Sequence, residues 1–85
     1  MSNNPSQAES INICGILVHA HPDNTEQVRH RLMQLDGVEI HEVTADGRLV
    51  VTVELPDHYA MADTINLING TEGVISAAMV YQHHE

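Results

Sequence analysis

The chain has 85 residues, 42% of them hydrophobic, and its three arginines, absent lysine and twelve carboxylates give a formal net charge of -9. That length makes one domain, and that charge excludes a nucleic-acid binder, whose affinity rests on neutralising phosphates, and a ligand of anionic membrane surfaces. A basic partner is the natural counterpart of so acidic a protein.

In chain order, residues 1–10 (MSNNPSQAES) are polar and uncharged apart from Glu9. They read as a disordered tail, with neither the basic nor the apolar region of a secretory signal. No apolar stretch approaches the roughly 20 residues that cross a bilayer, so a cytoplasmic protein without membrane insertion is expected. Ile11–Ala20 (INICGILVHA) is a nearly continuous apolar run, as in a central strand covered on both faces. Its Cys14 is the only cysteine; it has no disulfide partner and reads as a small buried hydrophobe in a reducing compartment. His21-Pro22-Asp23-Asn24 marks a turn, with Asp23 and Glu26 as a capping pair or Asn24 as the cap. Val28, Leu32 and Leu35 follow at helical spacing, predicting a helix over 24–35 that Asp36-Gly37 ends.

Two strand-like runs come next, Val38–Thr44 and Arg48–Leu55, around Ala45-Asp46-Gly47, where Asp-Gly signals a hairpin. Leu49, Val51, Val53 and Leu55 alternate with Arg48, Val50, Thr52 and Glu54, so one face of that strand is apolar. Pro56 stops it and Asp57 can cap a second helix, whose stripe is Met61, Ile65 and Ile68 with Ala62 and Leu67 nearby. Asn69-Gly70 ends that helix, Val74–Gln82 (VISAAMVYQ) is the last strand, and residues 83–85 form a short polar tail. The order predicts an α+β fold over residues 11–82, a ferredoxin-like βαββαβ sandwich. Its four-stranded antiparallel sheet has order 4-1-3-2 and both helices on one face. The other face is left uncovered, and an apolar, uncovered sheet face is an interaction surface.

A two-residue turn at Asp46-Gly47 sets Ala45 opposite Arg48, Val43 opposite Val50, His41 opposite Thr52 and Glu39 opposite Glu54. Glu39, His41, Val43, Val50, Thr52 and Glu54 then fall on the open side, while Val38 and Ile40 face the helices. Two carboxylates directly opposite repel and invite a cation between them. The same register points Glu42 toward the helices, which a bulge would change along with Val43. In the first strand either Ile13, Gly15, Leu17 and His19 or Cys14, Ile16 and Val18 face outward; the first set is preferred, because Gly15 and His19 suit an accessible surface. In the last strand Val74, Ser76, Ala78 and Val80 compete with Ile75, Ala77, Met79 and Tyr81, and alternation does not decide.

Seven histidines, among them His19, His21, His83 and His84, suggest a metal. Yet Pro22 turns His21 away and no Cys-x-x-Cys is present, so no metal site is expected. The histidines instead lower the net negative charge in mildly acidic solution, weakening attraction for a cationic partner. Ser10 and Ser76 lack a base-and-orienter set, and Cys14 lacks an electropositive setting. Arg29, Arg31 and Arg48 are not on a Gly-rich phosphate cradle. Tyr59 and Tyr81 are the only aromatics, too few for the base-stacking sheets of RNA binders. No enzyme and no cofactor are expected.

Three segments, ICGILVHA, GVEIHEVTADGRLVVTVE and INGTEGVISAAMVY, carry a resemblance to the NapD-type chaperones of the periplasmic nitrate reductase, running from about Ile13 to Tyr81. The resemblance implies a cytoplasmic, non-enzymatic chaperone without a cofactor. It would bind the twin-arginine signal peptide of the nitrate reductase catalytic subunit and hold the precursor back from the Tat translocase until its molybdenum cofactor is inserted. The residues supply a matching receptor: Ile13, Leu17, His19, His41, Val50 and Thr52 as a floor, and Glu39 and Glu54 as the arginine site. The expected form is a monomer. Two other readings stand beside it: a small-molecule-sensing regulatory domain, with Asp36-Gly37 in a ligand loop, and a structural subunit whose open face is a homodimer interface.

Overall fold

The structure, a computed structural model, describes residues 11–84; the expected N-terminal tail lies outside the described residues, as does Glu85. The elements are β1 (Asn12–Ala20), a 3-10 turn (Pro22–Asn24), α1 (Thr25–Leu32), β2 (Val38–Val43), β3 (Arg48–Leu55), α2 (His58–Asn69) and β4 (Val74–His84). The sheet order is β2-β3-β1-β4, with every pairing antiparallel. This is the expected 4-1-3-2 arrangement read from the other edge. The last strand runs two residues past Gln82, so His83 and His84 extend β4 rather than forming a tail.

One face of the sheet carries the core. Cys14, Ile16, Val18 and Ala20 from β1 and Leu49, Val51 and Val53 from β3 are buried against Val28 and Leu32 of α1 and Met61 and Ile68 of α2. Burying such side chains contributes about 25 cal/mol per Å² of apolar area removed from water. Thr64 is also buried on α2, while Ile65 is half-buried and Ala62 and Leu67 are exposed. The inward stripe is thus narrower than the sequence pattern.

The helix ends divide the expectations. Asp57 caps α2, its carboxylate accepting from the Tyr59 N–H at 2.9 Å, which satisfies a donor that the first turn leaves open. At α1 neither Asp23 nor Asn24 caps through its side chain. There the Thr25 hydroxyl donates back to the His21 and Pro22 carbonyls. The chain leaves α1 through Gly37, at φ 78, a left-handed conformation that glycine adopts without steric cost. The Gly37 carbonyl accepts from the Glu54 N–H at 2.9 Å.

The β2–β3 hairpin corrects the expected register. Its loop is three residues, Ala45-Asp46-Gly47. Thr44 N–H donates to the Arg48 carbonyl at 2.8 Å, and Gly47 takes φ 94, the geometry of a turn closed by a left-handed residue. A Cβ on Gly47 would collide with the Ala20 carbonyl oxygen, so the loop tip abuts the end of β1. Beyond the loop Val43 pairs with Leu49 and Glu42 with Val50. A bulge at His41 then shifts the pairing so that Ile40 meets Val51, Glu39 meets Thr52 and Val38 meets Val53. Val43 therefore packs on the core side and Glu42 faces outward, the reverse of the expectation for both. Glu39 and Glu54 share a face but are diagonal neighbours, not opposite partners.

Candidate docking face

The open side of the sheet is a lattice of four rows. At one end Glu54 of β3, Ile13 of β1 and His83 of β4 lie side by side. The next row runs Glu39, Thr52, Gly15, Tyr81, and the third Glu42, Val50, Leu17, Ala78. At the hairpin end are Arg48, His19 and Ser76. Each residue is outward because its strand neighbours are held by the core: Leu17 and Val50 are 36% and 40% exposed, whereas Val18 and Val51 are fully buried. Ile13, Leu17, His19, Glu39, Val50, Thr52 and Glu54, reached from the sequence by alternation, all belong to this face.

His41 joins them by a different route. As the extra residue of the β2 bulge it has no opposite partner in the ladder, yet its Nε2 lies 2.7 Å from the Thr52 hydroxyl. The expected contact is present although the expected pairing is not.

Tyr81 is a member that alternation could not select. Two bulges in β4, at Ile75 and Val80, change which side its residues face. Val74 and Ala77 pack toward the core, Ser76 and Ala78 lie outward, and after Val80 it is Tyr81 and His83 that lie outward. Gly15, opposite Tyr81, makes room for the ring: a Cβ there would be 3.1 Å from the Tyr81 Cβ. The Tyr81 ring stacks near-parallel on His83, with centroids 6.4 Å apart. The signal that could have found it is Gly15 itself, since a glycine inside a strand marks a close approach by a neighbour.

The electrostatics are one-sided. Among the described residues Arg29 pairs with Glu26 at 3.5 Å, Arg31 with Glu72 at 3.9 Å and Arg48 with Asp46 at 3.7 Å. Each arginine is thus engaged by another carboxylate, and none is paired with Glu39, Glu42 or Glu54. The Asp46 carboxyl is held below its ordinary range, first by the hydroxyl donor of Thr44 and then by Arg48. On the opposite side of the sheet, burial pushes the Cys14 thiol up, so it is a packed hydrophobe and not a poised nucleophile. No group of three or more His, Cys, Asp or Glu among the described residues is arranged to hold a metal ion. No helix among them is long and apolar enough to cross a membrane. At the Asp36-Gly37 turn a Cβ on Gly37 would be 2.6 Å from the Glu54 carbonyl oxygen, so the turn packs its glycine against the end of β3.

A family model described as the NapD protein matches residues 11–85. This chain belongs to the NapD family. Chaperone NapD of Escherichia coli (strain K12) is 28% identical over 74 residues, covering 86% of this chain and 85% of that protein. The Shigella flexneri Chaperone NapD gives the same figures. The solution structure of the E. coli Tat proofreading chaperone protein NapD aligns with a TM-score of 0.80 at 28% sequence identity, covering 88% of this chain and 80% of that one. The chain is therefore a NapD-type chaperone with the fold of that solved relative.

Proposed function

We propose that this protein is a cytoplasmic, non-enzymatic chaperone that binds the twin-arginine signal peptide of a periplasmic nitrate reductase catalytic subunit on the open face of its sheet. By covering the signal it would withhold the precursor from the Tat translocase until cofactor insertion is complete. The observation that carries this reading is the pairing of an uncovered apolar floor, Leu17 and Val50, with carboxylates that no arginine of the chain engages, Glu39, Glu42 and Glu54. A twin-arginine signal has the complementary composition, two adjacent guanidiniums beside an apolar stretch. Guanidinium–carboxylate contacts are directional and often bidentate, and the apolar stretch gains from leaving water, less the cost of ordering a flexible peptide. Blocking access to a signal needs no bond-making step, so export control follows from binding alone.

The test is titration calorimetry with a synthetic signal peptide bearing the arginine pair. Glu39→Gln combined with Glu54→Gln is expected to weaken binding about tenfold, or about 1.4 kcal/mol, and to leave the unfolding midpoint in place, since both side chains are exposed. Wild-type affinity should also fall as salt rises, because exposed charge pairs are screened. Unchanged affinity of the double variant at low salt rejects these carboxylates as the arginine site.

A further inference from the structure

Resting on that reading, the structure carries one inference further, to how the peptide lies. We propose that it crosses the strands, with its paired guanidiniums over β2 and its apolar stretch over β1 and β4. On the open face the polarity changes from strand to strand. β2 contributes Glu39, His41 and Glu42, with no large apolar side chain. β3 contributes Val50 and Thr52 between Glu54 and Arg48, and β1 contributes Ile13, Gly15 and Leu17 with His19 at its end. β4 contributes Ser76, Ala78, Tyr81 and His83, and from Val74 to Gln82 it carries no charged residue in a chain of net charge -9. Val80, at the β4 bulge, is 67% exposed on that edge. One side of the sheet is therefore acidic, and the other, over β1 and β4, carries no carboxylate and holds Ile13, Leu17, Val80 and Tyr81.

Along the strands the pattern fits worse. A peptide parallel to β1 could set its cations by Glu54, but its apolar stretch would end over His19, Arg48 and Ser76. Reversed, it would bring guanidiniums to Arg48, a like charge. The reach across the strands is suitable. From β2 to β4 is three strand spacings, about 14 Å. That is about four extended residues or about nine helical ones, so the segment directly after the arginines reaches Tyr81 in either conformation.

The experiment uses the full chain and a synthetic peptide of two adjacent arginines followed by an apolar segment. A nitroxide is attached either just before the arginine pair or at the end of the apolar segment, and broadening of the protein's amide signals is read by NMR. The expected result is that the first label broadens Glu39–Glu42 more strongly than Ala78–Tyr81, and that the second does the reverse. The opposite assignment, or two labels that broaden the two ends of β1, overturns the proposed direction while leaving the docking face intact. Broadening confined to α1 and α2 removes the docking face itself, and the direction with it. A binding cycle gives an independent readout. Glu42→Gln should couple to replacement of the peptide's arginines by glutamine by about threefold or more, and Tyr81→Ala should couple to shortening of its apolar segment. Coupling of Tyr81→Ala to the arginines, with none for Glu42→Gln, overturns the proposal.

Discussion

The two faces of this sheet are built from the same strands, residue by alternate residue, and they have opposite fates. On one, Val51 and Val53 are fully buried beneath two helices; on the other, their neighbour Val50 is 40% exposed, with no element above it among the described residues. Four consecutive valine-or-threonine positions, Val50 to Val53, thus divide into a buried side and an open side. The lesson is that stability and recognition should be separable by mutation, because each residue reports to only one face.

The strongest way to break that separation is to cut the buried side. Leu49→Ala removes a fully buried side chain from the centre of the core and is expected to cost about 3 kcal/mol. In a domain of this length that is a large share of the total. Urea unfolding measures the loss, and the fraction that remains folded should bind the arginine-pair peptide with unchanged affinity. Altered affinity in that fraction would mean the two faces are coupled. The outward counterpart sharpens the comparison. Leu17→Ser should lower affinity about fivefold, for the apolar area no longer buried on binding, and shift stability by only about 0.5 kcal/mol.

The smallest effect concerns the hairpin loop, which belongs to neither face. Asp46 titrates below the ordinary carboxylate range because Thr44 donates to its carboxylate and Arg48 lies beside it. A depressed folded pKa contributes stability above the unfolded value, and that contribution disappears as pH falls through the folded one. Thr44→Val should move the Asp46 titration upward, seen in its carboxyl chemical shift, and narrow the acid-side window over which the loop is stabilised. The change in overall stability should be slight, since the carboxylate is exposed to solvent.

Most of the fold was legible because its signals are local. The alternation of β3, the stripe through Val28 and Leu32, Asp57 before a helix and glycine after one each report a single element. The register was not local, and its errors are instructive. The loop is one residue longer than the shortest hairpin turn, and the bulge at His41 adds one more. Two slips of one residue leave the face of Glu39 and Ile40 as alternation predicts, while Glu42 and Val43, between the slips, are reversed. In β4 two bulges divide the strand into three phases, so neither alternating set stays on one side and Tyr81 was invisible to period-two reasoning. Bulges leave little trace in composition, because the extra residue needs only an allowed backbone conformation.

The placement of β1 between β3 and β4 has a consequence for synthesis. Val74–His84 supplies one whole side of β1's ladder, although more than fifty residues of chain separate the two strands. A nascent polypeptide still lacking that segment has an open edge on its central strand and no Tyr81 to lie over Gly15. A chain cut before Val74 should therefore lack one edge of the open face and, on the function proposed above, fail to hold the arginine-pair peptide.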